Sequence, residues 1–286
     1  MTDASYQLDK ENNTNTNNNI NNNTSSKVSC ISPRSKIILI ALIMSIIAIV
    51  IIIIILLVVL KKHSYITASN MDYSGFVIVN DVIPDIVTEM RYYSTFNFVG
   101  AHIDGYEEPV ALLTKEAAEK LKKASDEFDK LEYRIKIWDS YRPQRAVDHF
   151  MRWGKNESDD KMKKYFYPDL TKKEVFEGGY VATQSGHSRG STLDITLLHK
   201  INGTDVDFGS GFDYFGELAH FNYTGVTEEQ LNNRKLLNKI MVESGFEAFS
   251  EEWWHFTLKN EPYPKTYFNF PVNSTIIRRG INNYKI

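Results

Sequence analysis

Two histidines and two carboxylates, held in two short segments far apart in the chain, are the residues whose types and spacing could do chemistry. Ser185-Gly186-His187-Ser188-Arg189-Gly190-Ser191-Thr192-Leu193-Asp194 supplies one imidazole and one carboxylate, and Glu252-Trp253-Trp254-His255 supplies the other pair. Two imidazoles and a carboxylate suit Zn²⁺, and three protein ligands leave a fourth position open to water. The ion lowers the pKa of such a water toward about 7, so hydroxide is available near neutrality. Glu252 lies three residues before His255, where the fold could aim it at that water as a general base. That chemistry is metal-assisted hydrolysis.

Each of these residues also has an ordinary reading. A His and an Asp in a Ser/Gly-rich loop are commonly surface or hydrogen-bonding residues. A His beside two tryptophans is commonly half-buried, and Trp253 and Trp254 are most simply walls of a core or pocket. Arg142 is charged at any working pH and can stabilise a developing oxyanion, but an Arg near a helix start commonly makes a surface ion pair. Asp213, in Gly209-Ser210-Gly211-Phe212-Asp213, suits a substrate ammonium or simply a turn. Ser188 or Ser191 as a nucleophile with His187 as base is a competing arrangement. It leaves Asp194, His255 and Glu252 without a role.

The combination resembles a family. Both motifs are similar to those of the zinc-dependent D-alanyl-D-alanine dipeptidases of vancomycin-resistance type. Further segments resemble that family in its order: Asn97-Phe98-Val99-Gly100, Asp104-Gly105-Tyr106-Glu107, Trp138-Asp139-Ser140-Tyr141-Arg142-Pro143, Gly245-Phe246-Glu247-Ala248 and Glu261-Pro262-Tyr263-Pro264. The resemblance implies a compact α+β zinc-peptidase domain, related to other D,D-peptidases and to the hedgehog signalling domain. It implies one Zn²⁺ per chain, held by His187, Asp194 and His255. It makes Glu252 the catalytic carboxylate, places Arg142 beside the reacting carbonyl, and puts Ser185, Asp213 and Tyr93 in the substrate pocket. The implied substrate is the small peptide D-Ala-D-Ala. A peptidoglycan-stem D,D- or L,D-carboxypeptidase is the alternative within the same chemistry. A zinc-containing surface or signalling module is the alternative outside it, and such a module would need neither Glu252 nor Arg142. The chain departs from the family at Gly186, where a second Ser is common, and in its two ends.

The elements that must position these residues are legible in part. Thr114 is placed to cap a helix carrying Ala117, Leu121, Ala124 and Phe128. Pro143 suits the first turn of a helix with Ala146, Val147, Phe150 and Trp153. Thr227 to Gln230 reads as a capping box opening a helix that Gly245 would end. Phe76 to Val79, Arg134 to Trp138, Phe246 to Phe249 and Trp254 to Leu258 read as strands, the last two an antiparallel pair. The absence of a βαβ rhythm points to α+β. If residues 252 to 255 formed one regular strand, Glu252 and His255 would face opposite sides. The scheme therefore requires Glu252 before the strand or at a bulge.

Around this domain the composition is uneven. Residues 1–36 are rich in Asn, Thr and Ser and read as a disordered tail that cannot bury enough apolar area to offset its ordering entropy. Residues 37–60 are Ile, Leu, Val, Ala and Met interrupted by Ser45; at 1.5 Å per residue they make about 36 Å of helix, enough to cross a bilayer core of about 30 Å. A linker over 61–74, the domain over 75–272 and an extension over 273–286 complete the organisation. Lys27, Arg34 and Lys36 before the span against Lys61 and Lys62 after it lean toward a cytoplasmic N-terminus, with the catalytic domain extracellular or luminal. Asn156, Asn202, Asn222 and Asn273 match glycosylation sequons. Cys30 is the one cysteine, so no intrachain disulfide forms, and its place before the span allows palmitoylation. A net charge of −3 gives no electrostatic reason to expect nucleic acid as a partner.

Overall fold

The computed structural model describes residues 32–69 and 75–283. The expected tail, Cys30 included, thus lies almost wholly outside the described residues. The apolar run forms one long helix, α1 (Pro33–Ser69), whose opening proline has the φ and the missing N–H that suit a first helical position. Lys36–Val58 within it has a mean hydropathy of 3.7 and is long and apolar enough to cross a membrane. The helix continues into the 61–74 stretch as far as Ser69. Lys61 to Ser69 contains neither Gly nor Pro, so nothing local stops it.

The second unit is built in chain order as follows. β1 (Phe76–Ile78) leads through a helical turn, α2 (Val79–Val82), to the short β2 (Val87–Thr88). β3 (Leu112–Thr114) pairs antiparallel with β1 and passes straight into α3 (Lys115–Asp129). β4 (Tyr133–Asp139), α4 (Gln144–Gly154), α5 (Lys163–Phe166) and α6 (Lys172–Glu177) follow. A 3-10 turn over Gly186–Arg189 precedes β5 (Thr192–His199). The last elements are α7 (Glu228–Glu243), β6 (Phe246–Phe249), β7 (Glu252–Leu258) and α8 (Ser274–Asn283).

The local signals act as expected. The Thr114 hydroxyl accepts from the Ala117 amide, and α3 buries Ala117, Leu121, Ala124 and Phe128. Thr227 and Gln230 cap each other reciprocally at the start of α7, satisfying amides that the first turn leaves without partners. Pro143 sits one residue earlier than expected, as the cap before α4.

Five strands form the main sheet in the order β2-β4-β5-β7-β6. β2 and β4 are parallel and the other pairs antiparallel, so the domain is α+β. α3 packs against β4, and α7 against β6. The central strand, β5, is buried over seven of its eight residues. Like the short β2 and β3, it is not among the strands read from the sequence. Its Thr/Asp and Leu/Ile residues alternate in the period of a strand, but the segment stood out for its His and Asp rather than for that pattern. The register puts Leu193 opposite Phe256 and Ile137 opposite Ile195 on one face, and Asp194 opposite His255 on the other, because partners across a ladder share a face.

Candidate active site

Asp194 and His255 are direct cross-strand partners on β5 and β7, so the sheet's own hydrogen bonds fix their separation. His187 arrives from the 3-10 turn, and its own amide donates to the Ser185 hydroxyl that caps that turn. That turn ends at Gly190, which has a φ of 84°; a side chain there would press into Phe76, and left-handed backbone favours glycine in any case.

The three side chains converge. His187 Nε2 is 3.2 Å from Asp194 Oδ2, His255 Nδ1 is 3.0 Å from Asp194 Oδ1, and the two ring nitrogens are 3.4 Å apart. Ligand atoms at about 2.0–2.1 Å from a tetrahedral Zn²⁺ stand about 3.3 Å from one another, which these separations match. Asp194 Oδ1 is buried and has no aligned hydrogen bond despite its nearness to His255. His187 Nδ1 lies 2.7 Å from the Ser140 carbonyl; donation there leaves the Nε2 lone pair facing the cluster, as in metal-binding histidines. The donor set and its spacing therefore fit a zinc ion.

Glu252 solves its parity problem with an irregularity in the ladder. Ala248 pairs with Phe256 and the next residue, Phe249, pairs with Glu252, so 253–255 bulge out of register with β6. Glu252 Oε2 consequently lies 3.5 Å from His255 Nδ1, on the side of the cluster. Arg142 stands just after β4, its Nε donating to Asp139 Oδ2 at 2.8 Å. Its other nitrogens are 3.6 Å from Asp194 Oδ2 and 3.5 Å from Ser185 Oγ, and its guanidinium lies over the rings of Tyr92 and Phe150.

His187, Asp194, His255, Glu252, Arg142, Ser185 and Asp213 all line one cavity of about 220 Å³. This is smaller than the roughly 300–1,000 Å³ of pockets that take drug-sized ligands, and suits a small one. Tyr93 is the expectation that the structure corrects. It is 38% exposed, packs on His102 and does not line the cavity. Its neighbour Tyr92, 1% exposed, lines the cavity instead and donates to Asp213 Oδ2 at 2.8 Å. The Tyr92-Tyr93 pair sits in a turn, where adjacent tyrosines leave a position carried over by resemblance open to a shift of one residue. Asp139 was also missed: it is fully buried, accepts from Tyr106 at 2.6 Å and from Arg142, and lies 3.5 Å from His187 Nδ1. Its signal was its place in Trp138-Asp139-Ser140-Tyr141-Arg142, an Asp at the end of an apolar strand.

Burial and charge compete across this cluster. Burial lifts the Glu252 carboxyl to about 7, with Asp194 adding to the rise and His255 and Arg142 opposing it. Burial would also raise Asp194, yet the His187 and His255 imidazoles hold it well below the usual carboxylate range. Burial lowers His187. For His255 the adjacent Asp194 outweighs burial and raises it. Asp213 is pushed well up by burial, against the opposing pull of Arg142.

Two imidazoles and a carboxylate at ion-coordinating distances, with a second carboxylate and an arginine on the same cavity of an α+β domain, are the arrangement of a metal-dependent hydrolase. Similarity gives the family. The D-ala-D-ala dipeptidase family model matches residues 72–273, and the chain belongs to that family, whose members are zinc-dependent. A D-alanyl-D-alanine dipeptidase of Enterococcus faecalis is 41% identical over 200 residues, covering 70% of this chain and 99% of the relative. One from Streptomyces coelicolor is 39% identical over 197 residues, covering 69% and 98%. One from Escherichia coli is 33% identical over 177 residues, covering 62% and 81%.

Proposed function

We propose that this chain is a zinc metallopeptidase that hydrolyses the dipeptide D-Ala-D-Ala, tethered to a membrane by α1. The observation that carries the reading is the His187, Asp194 and His255 cluster, whose ligand atoms lie within 4.8 Å of one another, with Glu252 beside it. Zn²⁺, when bound there, supplies a Lewis acid for the scissile carbonyl and lowers the pKa of water. Glu252 accepts the proton of the attacking water and returns it to the leaving amine. Arg142 faces the oxyanion that forms on the carbonyl, held in aim by Asp139. Asp213 receives the substrate's free ammonium, with Tyr92 fixing its carboxyl, and Ser185 offers a hydroxyl on the same cavity.

The test is turnover by the full chain in detergent with D-Ala-D-Ala, N-acetyl-D-Ala-D-Ala and a peptidoglycan-stem pentapeptide. Zinc-dependent release of D-alanine, fastest from the free dipeptide, is expected. Preference for the pentapeptide would move the chain to the carboxypeptidase alternative, and zinc binding without turnover on any of them would leave only a binding module. For the tether, the unburied apolar stretch of Lys36–Val58 supports one membrane crossing, and protease digestion of sealed membranes from outside is expected to remove the catalytic domain. Glycan attachment at Asn156, Asn202, Asn222 or Asn273 would accompany that outward orientation.

A further inference from the structure

Among the described residues, Arg234 is the second-largest fully buried side chain, is 1% exposed and forms no ion pair. Its guanidinium instead donates to three main-chain carbonyls: Nε to Phe208 O at 2.7 Å, Nη2 to Leu218 O at 2.8 Å and Nη1 to His220 O at 2.7 Å. Burial draws its pKa down to about 10, with Asp207 as the opposing charge, so it remains charged near neutrality. A buried charge is costly unless fully hydrogen-bonded, and here all of the bonding runs to the two ends of one loop, 208–220. That loop carries Asp213 and Phe215 into the cavity wall and holds Asp213 at a φ of 58°, a conformation that a non-glycine residue keeps only where its surroundings impose it.

We propose that Arg234, which does not line the cavity, is a positioning residue that sets substrate specificity for a free N-terminal ammonium, by clamping both ends of the loop that presents Asp213. The fork geometry of arginine is what allows one side chain to reach the two ends at once; lysine, with a single nitrogen, does not replace it. Neighbouring side chains of α7 support only the first end, with Asn233 donating to Asp207 O and Gln230 to Asp207 Oδ2. Ser210 is held from β7 by Trp253. Arg234 thus links the loop's opening to its close.

The inference rests on the reading of Asp213 as the ammonium site. Its test compares Arg234→Lys and Arg234→Gln with the unaltered full chain in detergent, on D-Ala-D-Ala and on N-acetyl-D-Ala-D-Ala, which has no ammonium. KM for the free dipeptide is expected to rise about tenfold or more through misplacement of Asp213, with kcat, zinc content and the KM of the acetylated substrate little changed. In an Asp213→Asn background the Arg234 variants are expected to add almost nothing, the non-additivity of residues that act as one unit. Equal losses on both substrates, a full additional effect in that background, or failure of Arg234→Lys to fold would each overturn the proposal and leave Arg234 as a stability residue. Hydrogen exchange of the 209–219 amides, measured without substrate, reads the clamp independently: faster exchange confined to that loop supports it, and unchanged exchange overturns it. Absence of turnover in the unaltered chain would instead sink the dipeptidase reading, with the clamp still measured by exchange.

Discussion

The cavity has one wall made by a β-ladder and another made by a loop. On the ladder, Asp194 and His255 face each other because β5 and β7 pair in that register; moving either would break main-chain hydrogen bonds of the central sheet. On the loop, Asp213 owes its place to side chains, to Tyr92 directly and to Arg234 through the carbonyls at the loop's ends. The difference separates two tasks. Groups that hold an ion need fixed separations to a few tenths of an ångström, which a sheet provides. Groups that would choose a substrate can sit on a loop, apart from the ladder that fixes the candidate ion site.

The comparison can be broken most severely on the ladder side. Glu252→Gln keeps the side chain's shape and removes the base, so kcat is expected to fall by about 10²–10⁴ while zinc content, measured by atomic emission, stays unchanged; near-full turnover would contradict the proposed mechanism. Arg142→Lys keeps the charge but loses the planar fork held by Asp139, and a loss in kcat of about 10²–10³ is expected, read by steady-state kinetics with KM little altered. Asp139→Asn weakens the carboxylate that faces both Arg142 and His187. Zinc affinity by competitive chelation is expected to drop about 10–100-fold, and an unchanged affinity would confine Asp139 to holding Arg142. On the loop side the effects are smaller. Tyr92→Phe removes the donor to Asp213, with an expected rise in KM for D-Ala-D-Ala of about three- to tenfold, the worth of one ordinary hydrogen bond. Tyr93→Phe is expected to leave both kinetic constants within about twofold, as for surface changes away from the site. Reversal of that last pair would restore Tyr93 to the pocket.

How much of this was legible follows from the range of the signals. Helix caps at Thr114 and Thr227 and the buried faces of α3 and α7 are local, and they formed where their residues stand. The demand that Glu252 escape strand parity was also readable, since it needs only the alternation of side chains; the bulge at 253–255 is its answer. α1 runs on past the membrane-length stretch to Ser69, because helix continuation past Leu60 depends on the absence of a stop signal rather than on a pattern. β5 was missed because a strand buried on both faces carries polar residues on one of them here, which obscures the run that would have marked it.

The sequence by itself determined the chemistry on offer: which side chains are imidazoles and carboxylates, which residues cap, and which stretch is apolar enough to span a bilayer. It did so because these properties belong to single residues or to neighbours within a few positions. Only the tertiary structure decided that Asp194 faces His255, that Tyr92 rather than Tyr93 reaches Asp213, and that Asp139 stands behind His187 and Arg142. Those choices depend on strand register and on the course of turns, which are fixed by contacts between segments 47 or more residues apart and leave no periodic trace in the chain.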